Sequence, residues 1–240
     1  MTLFLTSSPC VIGAPRTILN PANGFVDRLR EALPQWPRIL FVCSDPEDHD
    51  MTCGFGNDMV RTLQEYDIPV GGFSILDGGS ADEAPFLVAG SDLIILSGGH
   101  VPTQNAFFQE IHLRELLEDY PGVVMGISAG SMNCADVVYA QPEEEGEGAD
   151  PDYQKFLPGL GLTEFNILPH YQQVKDNILD GLRLYEDITF QDSMDHEFYV
   201  MVDGTYLLQD EEGAAIFGKA YRIRDGIMEW LTDEGETLEL

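Results

Sequence analysis

The sequence has little positive charge. Only 12 of its 240 residues are lysine or arginine, whereas 42 are aspartate or glutamate, and the formal net charge is −30 at pH 7. Nucleic acids and anionic membrane surfaces repel a protein that carries such a field. We therefore expect neither nucleic acid nor a membrane among its partners.

Long apolar runs are also missing. No stretch approaches the ~20 consecutive apolar residues that a membrane-spanning helix needs, and residues 1–6 lack the basic start and the apolar length of a secretory signal. These absences predict a cytoplasmic protein. The four cysteines form no C-x-x-C pair and are expected to stay reduced in that compartment.

The sequence contains neither an internal repeat nor a linker that would separate two domains, so residues 1–240 are expected to form a single domain. One histidine, His49, has Asp48, Asp50 and Cys53 nearby, but no second cluster has the spacing of metal ligands. We interpret this set as a solvated turn and expect neither a metal nor an organic cofactor.

Apolar segments alternate with helical patterns along the first half of the chain. Strands are expected at residues 3–5, 38–43, 70–76, 93–96 and 123–125. Helices are expected at residues 57–66 and 103–117, and a further one is expected to begin with Asn23 as its cap and to carry Val26, Leu29 and Leu33 on one face. This alternation predicts a doubly wound, mostly parallel α/β sheet, in which ligands collect at the carboxyl ends of the strands.

The C-terminal part has a different pattern. After a helix expected at residues 176–184, short strands are expected at residues 199–202, 206–208, 214–217, 221–223 and 227–230. Asp225-Gly226 is typical of a hairpin turn. These segments predict a short antiparallel extension of the same domain. The acidic, glycine-rich residues 142–152 are expected to form a loop, either a mobile lid or a solvated surface segment.

The most informative motif is G-I-S-A-G at residues 126–130, directly after an apolar strand and before a plausible helix. This Gly-x-Ser-x-Gly pattern is typical of a nucleophile elbow, which would expose the hydroxyl of Ser128 at a tight turn. Serine acyl transfer also needs a base, an acid that orients the base, and donors for the oxyanion. Among the five histidines, the position of His170 after a strand favours it as the base, followed by His100.

Three segments of the chain resemble peptidase family S51, which includes dipeptidase E and cyanophycinase. They are L-S-G-G-H at residues 96–100, G-I-S-A-G at 126–130 and N-I-L-P-H-Y at 166–171. The order and spacing of these segments fit the family across roughly residues 90–210. The resemblance implies a flavodoxin-like fold of the class I glutamine amidotransferase type.

The resemblance also implies roles for individual residues. Ser128 would be the nucleophile and His170 the general base, with the backbone N–H groups of Gly99 and Ala129 as the oxyanion hole. The family's acid corresponds in position to Asp203, with aspartate in place of glutamate.

Three further positions leave alternatives open. Glu143 is the rival for the acid. His100 replaces an asparagine of the family and is expected to contact substrate. Class I amidotransferases have His-x-Glu and a cysteine nucleophile, whereas this chain has Gln172 and a serine, so glutamine hydrolysis is not expected.

The sequence thus predicts a serine peptidase that cleaves a small peptide or isopeptide. Aspartyl specificity does not follow directly, because the acidic loop after Glu143 would repel an acidic residue; Arg183 would counter this only if it faces the site and is not an exposed cation. The alternatives are an esterase on the same elbow and a non-catalytic binding protein of the same fold. The sequence does not decide whether the protein forms a homodimer.

Overall fold

Strands and short helices alternate along the chain, and the computed structural model describes residues 1–240. Strands β1 to β16 are, in order, Thr2–Thr6, Arg38–Val42, Gly72–Leu76, Leu93–Leu96, Val123–Ile127, Val137–Tyr139, Phe156–Pro158, Asn166–Leu168, Ile178–Leu179, Leu182–Arg183, Phe198–Met201, Tyr206–Gln209, Ala214–Phe217, Ala220–Arg224, Ile227–Thr232 and Thr237–Glu239. Helices α1 to α8 are Phe25–Ala32, His49–Glu65, Ala84–Ala89, Val101–Glu110, Leu113–Leu117, Ala129–Met132, Tyr171–Val174 and Phe190–Asp192.

Three other helical segments supplement these elements. Short 3₁₀ segments lie at Ala22–Gly24 and Gly78–Glu83, and a π-helical segment lies at Leu184–Thr189. No helix in the structure is both long enough and apolar enough to cross a membrane.

Eight strands form the central sheet, in the order β16-β13-β12-β1-β5-β4-β2-β3. Strands β1, β5, β4, β2 and β3 are parallel to one another, whereas β12, β13 and β16 extend the sheet in antiparallel fashion beyond β1. The predicted doubly wound, mostly parallel α/β fold with an antiparallel C-terminal extension is confirmed.

Apolar side chains cover both faces of the central sheet. Successive residues of a strand point to opposite faces, so Leu3 and Leu5 of β1 pack on the side of α3, α4 and α5, whereas Phe4 packs on the side of α1 and α2. Burial on both faces explains why β2 and β4 have almost continuously apolar sequences.

A second sheet has the order β15-β14-β11-β8, with β8 and β11 parallel and the other pairs antiparallel. The predicted turn at Asp225-Gly226 connects β14 to β15. The C-terminal strands are therefore divided between two sheets. The chain passes from the second sheet to the central sheet between β11 and β12, through residues 202–205.

Helix α2 begins earlier than the predicted residue 57. Its N-cap is Asp48, whose side chain accepts the Met51 N–H at 3.0 Å, so His49 is the first helical residue and not part of a turn. The glycines in the first half of this helix obscure the pattern. At one of them, Gly56, a Cβ atom would lie 2.7 Å from the ring of Phe73 in β3.

Other predicted helices differ from the structure for local reasons. The helix predicted for residues 103–117 is divided into α4 and α5, because His112 has a left-handed backbone with φ of 53°. The helix predicted for residues 176–184 is wrong. Asp180 and Gly181 both have positive φ and form the turn of the β9–β10 hairpin, as expected for an Asp-Gly pair.

The predicted cap of α1 is also wrong. Asn23 lies in the 3₁₀ turn with φ of 57°, and Gly24 is the N-cap residue of the helix. The Asn23 side chain instead donates to the Gly204 carbonyl at 2.8 Å and accepts the Gly235 N–H at 2.9 Å. Leu33 lies just beyond the last helical residue.

Candidate active site

Ser128 lies at the junction between β5 and α6. Its backbone has φ of 52° and ψ of −111°, a conformation that residues other than glycine rarely adopt. A Cβ atom at Gly126 would lie 2.6 Å from the Ser131 backbone, and one at Gly130 would collide with the Leu96 carbonyl. The two motif glycines therefore allow β4, β5 and α6 to approach closely, and the turn leaves the serine side chain partly exposed.

His170 is the histidine in contact with Ser128. It follows β8 and Pro169, and its left-handed backbone, with φ of 58°, turns the chain into α7. Its Nε2 atom lies 2.9 Å from Ser128 Oγ. A neutral imidazole at this distance can accept the hydroxyl proton, which is the geometry required of a general base.

Asp203 lies in the connection between the two sheets, directly after β11. Because β8 and β11 are adjacent and parallel, His170 and Asp203 follow strands that end at the same edge of the second sheet. Asp203 Oδ1 lies 2.7 Å from His170 Nδ1. We call Ser128, His170 and Asp203 the serine cluster.

The carboxyl group of Asp203 favours its charged form. Its side chain is only 7% exposed, and burial alone would raise its pKa. The hydrogen bond and the charge of His170, together with hydrogen bonds from Ser7 and Gln173, outweigh burial and lower the pKa of Asp203 below its usual value. An ionised Asp203 can stabilise a protonated His170.

Three side chains that the sequence analysis did not place in the site hold Asp203. Ser7 Oγ donates to Asp203 Oδ1 at 2.9 Å and accepts the His170 backbone N–H at 2.8 Å. Gln172 and Gln173 both donate to Asp203 Oδ2, and Gln172 Oε1 accepts the Asp203 N–H at 3.1 Å. Ser7 and Gln172 thus orient the acid from two sides.

The Gly98-Gly99 turn approaches Ser128 closely. A Cβ atom at Gly98 would lie 3.3 Å from the Ser128 Cβ, and one at Gly99 would collide with the side chain of Ser44. The Gly99 N–H makes no hydrogen bond within the protein, and the Ala129 N–H, in the first turn of α6, has no acceptor within its own helix. Both groups adjoin Ser128 as candidate donors to an oxyanion.

Buried amides fix the turn that carries Gly99. Gln104 of α4 is fully buried, and its Nε2 donates to the Ser97 carbonyl at 2.8 Å. Asn133, which follows α6, donates to Gln104 Oε1 at 3.1 Å. These contacts link the end of β4 to the helix that begins after Ser128.

Two cavities meet at the serine cluster. The smaller has a volume of about 120 Å³ and the larger of about 580 Å³. Gly99, Ser128, Glu143 and His170 line both. The other lining residues are polar, such as Gln141 and Asn177 in the smaller cavity and Ser8 and Thr17 in the larger one, or apolar. The apolar ones include Val101, Met132, Val174, Leu179 and Leu184 in the smaller cavity, and Cys10, Ile12, Phe41, Phe55 and Met59 in the larger one. No lysine or arginine lines either cavity.

Comparison with known proteins agrees with this architecture. The model of peptidase family S51 matches residues 23–217. The chain belongs to peptidase family S51. It is therefore a peptidase, a hydrolase by class. Among solved structures, it is similar to a candidate peptidase E protein from Listeria monocytogenes EGD-e, with a TM-score of 0.59 and 16% identity over 96% of this chain and 98% of that chain. At this identity the likeness shows the fold alone. No curated protein sequence matches the chain.

In this S51 chain, the side chain of His100 contacts the acidic loop of residues 142–152. His100 Nε2 lies 2.9 Å from Glu147 Oε1, and His100 Nδ1 lies 2.8 Å from Thr103 Oγ1. His100 lines neither cavity at Ser128, so its predicted contact with substrate stays a prediction. His100, Glu144 and Glu147 bring possible metal-binding atoms within 4.8 Å of one another. However, both carboxylate oxygens of Glu147 are already engaged in hydrogen bonds, Oε1 with His100 and Oε2 with the backbone N–H groups of Glu143 and Glu144.

The rival acid, Glu143, lines both cavities and makes no hydrogen bond with His170. Its Oε1 accepts the Val101 N–H at 3.4 Å. Desolvation of its carboxyl group, with a smaller effect of Glu147, raises its pKa. Arg183, whose side chain is 58% exposed, is ion-paired with Asp187 at 2.7 Å and lines neither cavity.

Proposed function

We propose that the protein is a serine peptidase that hydrolyses a small peptide or isopeptide through an acyl-enzyme on Ser128. The observation that carries this proposal is the continuous hydrogen-bonded chain of the serine cluster, in which Ser128 Oγ, the two ring nitrogens of His170 and Asp203 Oδ1 are joined at 2.9 and 2.7 Å. Nucleophile, base and orienting acid are at the distances that serine acyl transfer requires.

The chemistry follows from this geometry. His170 Nε2 takes the hydroxyl proton as Ser128 Oγ attacks the scissile carbonyl carbon, and Asp203 stabilises the resulting imidazolium. The N–H groups of Gly99 and Ala129 donate to the oxyanion. His170 then protonates the leaving amine, whose bond to the acyl carbon breaks. Water, activated by the same imidazole, hydrolyses the ester and restores Ser128.

The proposed substrate has a neutral or basic residue on the acyl side. No lysine or arginine lines the cavities to pair with an acidic side chain, and Arg183 lies outside them and is paired with Asp187. Glu143 is the acidic residue that lines both cavities. Since desolvation raises its pKa, its carboxylate would gain from pairing with an ammonium or guanidinium group of the substrate.

Each of the two unequal cavities would take the substrate residue on one side of the scissile bond. The walls of the smaller cavity come from α4, α6 and residues 141–143 and 169–184. The larger cavity is apolar, and its aromatic residues Phe41 and Phe55 suit a bulky apolar side chain.

The test is a panel of dipeptides, with Asp-X, Arg-X and Leu-X members of matched X, assayed with the wild type and Ser128→Ala. We expect Ser128-dependent cleavage, with Arg-X or Leu-X preferred over Asp-X, and a covalent adduct on Ser128 when an activated ester is supplied. Preference for Asp-X would overturn the substrate proposal. Acylation and ester turnover without peptide cleavage would indicate the esterase, and no acylation at all would indicate a binding protein.

A further inference from the structure

A second set of three polar side chains lies outside the cavities at Ser128. Cys53 and His49 are four residues apart on α2 and therefore share one face of the helix. His49 Nε2 lies 3.2 Å from Cys53 Sγ, and His49 Nδ1 lies 2.5 Å from Asp77 Oδ2. We call Cys53, His49 and Asp77 the thiol cluster. Its order of thiol, imidazole and carboxylate is that of an activated cysteine.

Asp77 is held rigidly in the turn after β3. Its side chain is 4% exposed, and its Oδ1 accepts the Gly79 N–H at 3.0 Å and lies 3.2 Å from Ser80 Oγ. Its other oxygen is thereby directed at His49. The hydrogen bond and the charge of Asp77, with a smaller contribution from Asp50, raise the pKa of His49. A protonated imidazole beside Cys53 stabilises the thiolate.

The other three cysteines provide internal contrasts. Cys43 and Cys134 are buried, and burial raises the pKa of both thiols. Cys10 is partly exposed, as Cys53 is, but burial raises its pKa to about 11. Only Cys53 has an imidazole within hydrogen-bonding distance, so the fold distinguishes one thiol from three inert ones.

The charge around the thiol cluster limits its reaction partners. Helix α2 begins within an acidic run: Asp45, Glu47, Asp48 and Asp50 surround His49 in the sequence, and the formal net charge of the chain is −30. This field repels anionic reagents and attracts cationic ones.

We propose that Cys53 is a modification site that forms mixed disulfides with small disulfides of neutral or positive charge. The Cys53 thiolate attacks one sulfur of the reagent R–S–S–R, a bond forms between Cys53 and that sulfur, and the original S–S bond breaks. The released thiolate takes the proton of His49 or of solvent. One disulfide is consumed and one is formed, so no other oxidant is needed.

The test is the rate of reaction of each cysteine in the folded protein with cystamine, a cationic disulfide, followed by peptide mass spectrometry between about pH 6 and 9. We expect Cys53 to react faster than Cys10 across this range. His49→Gln should slow the reaction about tenfold near pH 7, because it removes the imidazole that lies 3.2 Å from the attacking sulfur. Asp50→Asn, a matched change on the same helix turn, should leave the rate within about twofold.

A second comparison tests the charge preference. Glutathione disulfide, which is anionic, should react more slowly than cystamine, and added salt should reduce the difference. Because His49 is largely exposed, its replacement should leave the circular dichroism of the protein unchanged. Equal rates at Cys53 and Cys10, or an unchanged rate in His49→Gln, would overturn the activated thiol, and equal rates with the two disulfides would overturn the charge preference.

Discussion

The serine cluster and the thiol cluster each join a nucleophile, an imidazole and a carboxylate by hydrogen bonds, but in two different settings. The serine cluster is assembled from three remote segments, its acid is 7% exposed, and it faces two cavities beside free backbone N–H groups. The nucleophile and base of the thiol cluster come from one helix, its imidazole is 67% exposed, and Cys53 lines neither of those cavities. Hydrolysis needs oxyanion donors and an enclosed place for substrate as well as a hydrogen-bonded nucleophile, and the serine cluster has two cavities and free backbone N–H groups beside it.

The sharpest way to break this comparison is to remove each nucleophile separately. Ser128→Ala should lower kcat for peptide cleavage by about 10⁴-fold or more, because no acyl-enzyme can form, and should leave the cystamine reaction unchanged. Cys53→Ser should abolish the reaction of cystamine at that position and leave peptide cleavage unchanged. Peptide cleavage by Ser128→Ala at the wild-type rate, measured with thermal unfolding as a folding control, would remove the serine cluster from the mechanism.

The second prediction separates the two candidate acids. Asp203→Asn keeps the shape of the side chain but removes the charge that stabilises a protonated His170, so kcat should fall by about 10⁴-fold. Glu143→Gln is the matched control. It should leave kcat within a few-fold of the wild-type value and raise KM for Arg-X. The opposite pattern in steady-state kinetics would assign the acid to Glu143.

A smaller effect is expected at Ser7, which positions both His170 and Asp203. Ser7→Ala removes two hydrogen bonds worth about 1 kcal/mol each, so kcat should fall roughly tenfold or somewhat more, and the pH profile of kcat/KM should shift because the base is less well oriented. Ser8→Ala is the neighbouring control, since its side chain hydrogen-bonds with the Cys10 backbone and not with His170 or Asp203. A profile identical to that of the wild type would reduce Ser7 to a structural role.

The smallest expected effect concerns stability and pH. The pKa of Asp203 is lower in the folded chain than the value of about 3.9 expected in the unfolded chain. Its stabilising effect is therefore complete above that value and is lost as the pH falls through the folded pKa. The free energy of unfolding of the wild type, relative to Asp203→Asn, should be larger near about pH 6 than near about pH 3 in urea titrations.

Glu143 gives the opposite sign, because its folded pKa is raised. Its favourable contribution is present below the ordinary glutamate pKa and is lost as the pH rises through the folded value. The wild type should thus lose stability relative to Glu143→Gln as the pH increases. Parallel pH dependences for the two variants would contradict the different environments of these two carboxyl groups.

Much of the fold and part of the candidate site could be predicted from local sequence. Continuous apolar runs identified the strands of the central sheet, and Gly-x-Ser-x-Gly identified the turn at Ser128. The pair Asp180-Gly181 is itself typical of a two-residue hairpin turn. The helix predicted for residues 176–184 is wrong because the spacing of apolar residues there also fits a helix. By contrast, the prediction that Asn23 caps a helix is wrong because its side chain hydrogen-bonds with Gly204 and Gly235, which are far away in the sequence.

The sequence by itself determined a doubly wound sheet, an acidic surface and a serine at a tight turn, because each depends on residue type over a few neighbouring positions. Only the tertiary structure decided that His170, and not His100, lies against Ser128, and that Ser7 joins His170 to Asp203 across 163 and 196 residues of chain. It also placed Asp77 beside His49 across 28 residues of chain. These contacts arise where strand ends and helix starts meet, and their positions depend on sheet order and packing, which no short stretch of sequence encodes.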